Sequence, residues 1–148
     1  MDVKKIEEKA KKIFEKNGFC CAESVLLILS DELGMDSPLI PRIATGFCGG
    51  IARTRGLCGA VAGGVMALGI IHGRDNAEQS RNILYQKVQQ FIQSFDKEFG
   101  STNCFELTGC DLSTEKGLQD FEDKGMEEKC TIYTGKAAGL VAEIINEG

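Results

Sequence analysis

Seven cysteines, at positions 20, 21, 48, 58, 104, 110 and 130, are the residues of this 148-residue chain best equipped for chemistry. Thiolates ligate soft metal ions, and a pair of thiols passes two electrons by closing into a disulfide. No two of the seven are spaced as CxxC, so the thioredoxin-type and zinc-ribbon signatures are absent. The cysteines fall at expected element boundaries: Cys21 and Cys58 at helix starts, Cys104 in a short helix, Cys130 at the head of the last one. Helix starts can be gathered at one end of a bundle, and sites are commonly built between bundle helices. Four thiolates brought together there suit a zinc ion or an iron–sulfur cluster. Two would suit a redox dithiol, and the spacing does not separate these cases. Cys20 reads as an inert small core residue, because it neighbours Cys21 and two adjacent side chains on a helix cannot face one site.

The stretch that must position this chemistry runs from Thr45 to Gly73. It opens with a Gly-rich loop holding Cys48, passes Arg53 and Arg55, and brings Cys58 to the first turn of an apolar segment. From Gly59 to Ile71 there is no charged residue, so that helix should be buried on most sides. Gly59, Gly63, Ala60, Gly64 and Ala67 recur at helical spacing. Each helical glycine costs about 0.8–1 kcal/mol relative to alanine, which close approach of another backbone can offset. The start of this helix presents Cys58, where the dipole and free N–H groups favour thiolate. Cys58 is therefore the candidate attacking thiolate of a thiol–disulfide activity.

Around it the hydrophobic periodicity predicts an all-α fold, a compact bundle of about five to seven helices around the Gly/Ala-rich central helix. Val3–Lys16 carries a stripe of Ile6, Ala10, Ile13 and Phe14 and stops at Asn17-Gly18. Cys21–Leu33 follows, with Gly34 as its stop. Ser37-Pro38 is a good helix start, and that short helix should reach about Thr45. Asp75 with Glu78 three residues later matches a reciprocal capping pattern and launches the longest amphipathic helix, to Phe99. Ser101 and Thr102 can cap a short helix holding Cys104. Asp111–Gly125 is polar, anchored by Leu112, Leu118 and Phe121, and a last helix follows Cys130. Length and the lack of a linker make residues 1–148 one domain.

A net charge of −5, with acidic residues spread along the chain, argues against nucleic-acid or anionic-membrane partners. The charged N-terminus lacks an apolar signal core, and the Gly59–Ile71 run is too short to span a bilayer, so a cytoplasmic protein is expected. In that reducing setting clustered cysteines more often bind metal or act in redox chemistry than bridge. His72, the lone histidine, ends the central helix, where a cation suits the helix C-terminus. Gly46–Gly50 does not match a phosphate-binding GxxxxGK[ST] loop. Arg53 and Arg55 read as a solvated turn, with holding of thiolates or a bound anion as the functional alternative. Small residues on more than one face of the central helix would also serve a homodimer contact.

The run CAESVLLILSDELG, then GFCGGIARTRGLCGAVAGGVMALG, FGSTNCFELTGCDLST and EEKC before a terminal helix, resembles the C-GCAxxG-C-C family of redox-active proteins. The resemblance places Cys21, Cys58, Cys104 and Cys130 on that family's cysteine positions, with Gly59, Ala60 and Gly63 on its small-residue pattern. Cys20, Cys48 and Cys110 are additions to it, Cys110 being the substitute ligand closest to Cys104 in sequence. A similar module fused to haem-binding regions in split-Soret-type cytochromes implies electron transfer and an iron–sulfur centre. This chain has no CxxCH, so covalent c-type haem is not expected. The leading expectation is an iron–sulfur protein with Cys21, Cys58, Cys104 and Cys130 as ligands and a redox protein as partner. The alternatives are a thiol–disulfide protein acting through Cys58, and a non-redox helical module with structural zinc or no metal.

Overall fold

The computed structural model describes residues 1–148 and is all-helical, with no strand beyond an isolated bridge between Leu57 and Asn103. Eight α-helices occur rather than five to seven: α1 Val3–Lys16, α2 Cys21–Glu32, α3 Cys48–Arg53, α4 Gly59–His72, α5 Asn82–Phe99, α6 Cys104–Thr108, α7 Glu115–Asp123 and α8 Met126–Asn146. A 3-10 helix, Arg42–Phe47, precedes α3. The unexpected helix is α3, in the Gly-rich loop, which has no side-chain cap.

The long helices follow from apolar stripes and their ends from caps. Asp2 accepts from the N–H of Lys5 to start α1, whose Ile6 and Ala10 are fully buried. In α2 the apolar positions wrap most of the way round, and Ala22, Val25, Leu26 and Leu29 are all shut from solvent. Gly34, at φ 69°, lets the chain leave α2 as the N–H of Met35 reaches back to the carbonyl of Ser30 at 2.8 Å. Helix α1 packs along α8, while α2 lies against α4, and α4 also meets α5 and α8. Gly59 and Gly63 make the α2–α4 approach close, because a Cβ on Gly63 would stand 2.6 Å from the carbonyl of Ala22. On the far side Phe91 and Phe95 of α5 fill the core, and Phe95, Phe99 and Tyr133 stack edge to face. No helix is long and apolar enough to cross a membrane.

Three boundaries differ from expectation, each for a local reason. Helix α5 starts at Asn82, not Asp75. The Asp75 N–H is taken by the Gln79 side chain at 2.6 Å, and Asn76 accepts from Glu78 and Gln79, closing the segment into turns. Ser37 caps only a turn, accepting from Leu39, and the helical winding begins at Arg42. Helix α8 begins at Met126, one residue after Gly125 at φ 63°, so Cys130 lies inside it rather than before it.

The Gly-rich loop is the largest departure. From Gly49 through Arg53 every φ is positive, between 51° and 69°, making a short left-handed turn with three non-glycine residues in it. Such a conformation costs roughly 1–2 kcal/mol per non-glycine residue. The turn is held from its C-terminal side. The Thr54 hydroxyl donates to the carbonyl of Ile51 at 2.7 Å, and the Gly56 N–H donates to the carbonyl of Gly50 at 2.9 Å.

Candidate metal and redox centre

Four segments deliver cysteines to one place. Cys21 opens α2, and Cys58 is the N-cap of α4, its N–H donating to the Thr102 carbonyl at 2.7 Å. Cys104 opens α6, its N–H donating to the Gly56 carbonyl at 2.9 Å, with Asn103 capping the helix through the Glu106 N–H. Cys130 projects from the second turn of α8. All four line a single, partly open chamber of about 130 Å³, walled also by Phe14, Leu107, Leu112, Phe121 and Tyr133. The approach is tight on two sides. A Cβ on Gly59 would overlap the Cys21 sulfur, and one on Gly50 would come 3.2 Å from the Cys104 sulfur.

Neither carboxylate nor imidazole lines the chamber, and no buried side-chain nitrogen or oxygen in the protein lacks a hydrogen-bond partner. The donor set is therefore four sulfurs in an apolar shell, but no three of them lie within 4.8 Å of one another; the one group that does is Cys20, Glu23 and Cys48. The chamber sulfurs are spread wider than a single tetrahedral ion requires, a spacing that suits a larger cluster better than one zinc ion.

Without metal these thiols hold their protons. Burial pushes Cys58 up to about 12, helped by neighbouring Cys21, against the pull of the Val61 and Ala60 N–H groups. Burial and Cys21 likewise lift Cys104 to about 11. Cys21 and Cys130 are raised too, by burial first and, at Cys130, by the other three sulfurs. This corrects the expectation for Cys58: the helix start does favour its thiolate, but desolvation outweighs it. At 7% exposure Cys58 is also poorly placed to attack anything from solvent.

Cys110 stands outside the chamber lining. It is buried, with its thiol directed to the Thr108 carbonyl and its N–H donating to the Thr108 hydroxyl. Neither His72 nor the two arginines line the chamber. Arg55 lies 3.9 Å from Asp111 at the surface, and Arg53 borders an outer groove.

The reading of Cys20 as an inert core thiol is overturned, since it is paired with Cys48 in a disulfide whose Cα atoms are 5.9 Å apart. As N-cap of α2, Cys20 has extended backbone and diverges from Cys21, while Cys48, also extended, stands just before the left-handed turn. Glu23 fixes this corner, accepting from the Cys20 N–H at 3.0 Å and the Thr45 hydroxyl at 2.7 Å. The signal in the sequence was that Cys20 and Cys48 both stand apart from the four cysteines of the resemblance. Spacing could not say which of the three surplus cysteines pair.

Fold and chamber together define an all-helical protein built around its cysteines. Residues 19–144 match the family model described as "Putative redox-active protein (C_GCAxxG_C_C)", and the chain belongs to that family. Neither the curated proteins nor the solved structures gave a match to this chain.

Proposed function

We propose that Cys21, Cys58, Cys104 and Cys130 hold an iron–sulfur cluster, and that the protein is a cytoplasmic electron carrier serving a redox partner protein. The observation that carries this reading is the lining of one apolar chamber by these four thiols, with no carboxylate or imidazole beside them. A cluster held there would supply one-electron transfer. The chain's own part is to exclude water through Phe14, Leu112, Phe121 and Tyr133 and to give up the thiol protons on loading. Membership of the family and the wide spread of the four sulfurs both favour a cluster over a single zinc ion.

Anaerobic purification followed by a visible absorption spectrum and iron, sulfide and zinc analysis tests the reading. Iron with matching sulfide and charge-transfer bands that bleach on reduction are expected. A colourless protein holding stoichiometric zinc after anaerobic reconstitution with iron and sulfide would replace it with a structural metal site.

A further inference from the structure

The Cys20–Cys48 disulfide belongs to no step described so far. Cys20 lines the four-thiol chamber, yet both cysteines also line a separate surface groove of about 480 Å³ with Ala52, Arg53, Leu118 and Phe121. The bond thus stands between the chamber and the groove, where it can be reached from the groove side. Both cysteines are half-buried, as are Cys21, Cys104 and Cys130, and what sets the pair apart is its place on the groove. One side of the bond is anchored by Glu23, and the other is attached to the strained left-handed turn.

We propose that Cys20–Cys48 is a second redox centre, a disulfide that exchanges two electrons with an external dithiol entering through this groove. One thiolate of the dithiol attacks a sulfur of the pair. The Cys20–Cys48 bond breaks, the displaced cysteine leaves as thiolate and takes a proton, and a mixed disulfide forms. The second thiol of the dithiol loses its proton and attacks the mixed disulfide. It leaves as a closed disulfide, and the other cysteine returns as a thiol. Two electrons and two protons pass from the dithiol to the protein. Arg53 at the groove presents positive charge to the incoming thiolate. The exchange does not require the chamber to hold a metal.

The test is reduction of the native protein under argon, quenched with iodoacetamide and read by peptide mass mapping. Dithiothreitol and a reduced thioredoxin-type protein are run in parallel. The rate of labelling of Cys20 and Cys48 should rise linearly over a hundredfold range of dithiol while the far-ultraviolet circular dichroism stays constant. A faster rate with the protein reductant assigns a protein dithiol, and a faster rate with dithiothreitol assigns a small one. A rate that levels off at the unfolding rate would overturn the proposal, because a sealed structural disulfide opens only with the fold. So would finding Cys20 and Cys48 unpaired after air oxidation. Cys48→Ser should abolish the two-electron step yet leave metal content per chain unchanged. Loss of metal in a folded Cys48→Ser protein would make Cys48 a ligand and sink the idea. Exchange in a protein that binds no metal would uphold it while removing the cluster.

Discussion

The sulfur of Cys21 occupies the space in which a side chain on Gly59 would begin. Two residues far apart in sequence thereby fix the spacing of α2 and α4 at the chamber itself. Gly59→Ala must push Cys21 aside or part the helices, and its Cβ would also come 2.9 Å from the Phe47 carbonyl. Overpacking of this kind costs about 1–3 kcal/mol. Urea unfolding of the metal-free protein should show a lowered midpoint at unchanged slope, and an unaltered midpoint would refute the close contact.

Ligand assignment separates Cys130 from Cys110. Cys130→Ser should lower the bound metal per folded chain by more than half, because Cys130 lines the chamber. Cys110→Ser should leave it unchanged, since that thiol is directed to the Thr108 carbonyl instead. Metal analysis of both folded variants decides it, and equal losses would mean that Cys110 also serves the site.

Stability of the reduced, metal-free chain should fall on the alkaline side. Cys58 moves from 9.0 to about 12 on folding, so the folded state keeps a proton that the unfolded chain releases. The stabilisation is intact below pH 9 and is lost as pH rises through the folded value, at about 1.4 kcal/mol per pH unit for one such thiol. Urea midpoints at pH 8, 9 and 10 should decline, and Cys58→Ser should flatten the decline. A pH-independent midpoint would contradict the burial of these thiols.

Loading reverses that sign. Since all four chamber thiols are raised, zinc binding that engages all of them near neutral pH should expel about four protons. Affinity should therefore climb steeply with pH. Calorimetry in two buffers of different ionisation heat measures the proton count, and a count near zero would mean that the sulfurs do not bind the ion.

Removing the Phe95 ring should cost about 3–5 kcal/mol, since it is fully buried and stacks on both Phe99 and Tyr133. Tyr133 also lines the chamber, so thermal unfolding and metal retention should weaken together in Phe95→Ala. Retained stability would show that the core collapses around the gap.

How much of this could be read from the chain depends on the range of each signal. The helical class and α1 and α2 were legible because Ile6, Ala10, Val25 and Leu29 repeat at helical spacing and glycine follows each helix. The start of α5 was not, because Gln79 competed with Glu78 for the Asp75 N–H, a contest that a spacing rule does not weigh. Cys21, Cys58 and Cys104 were marked by their places at helix starts, and all four chamber cysteines by the family resemblance, whereas Cys130 lies inside α8. The Cys20–Cys48 pairing depends on Cys48 standing in extended backbone just ahead of the left-handed turn at Gly49, and nothing periodic records that.

That turn has one more implication. Between Gly49 and Arg53 the backbone has the mirror-image hand of every other helix in the molecule. Gly49 and Gly50 accept this freely, but Ala52 at φ 51° carries a Cβ of the wrong chirality for its conformation. The residue that fits there is a D-amino acid, which the ribosome does not supply. A chain assembled by chemical ligation with D-alanine at position 52 would relieve a strain of about 1–2 kcal/mol without altering the composition of the protein.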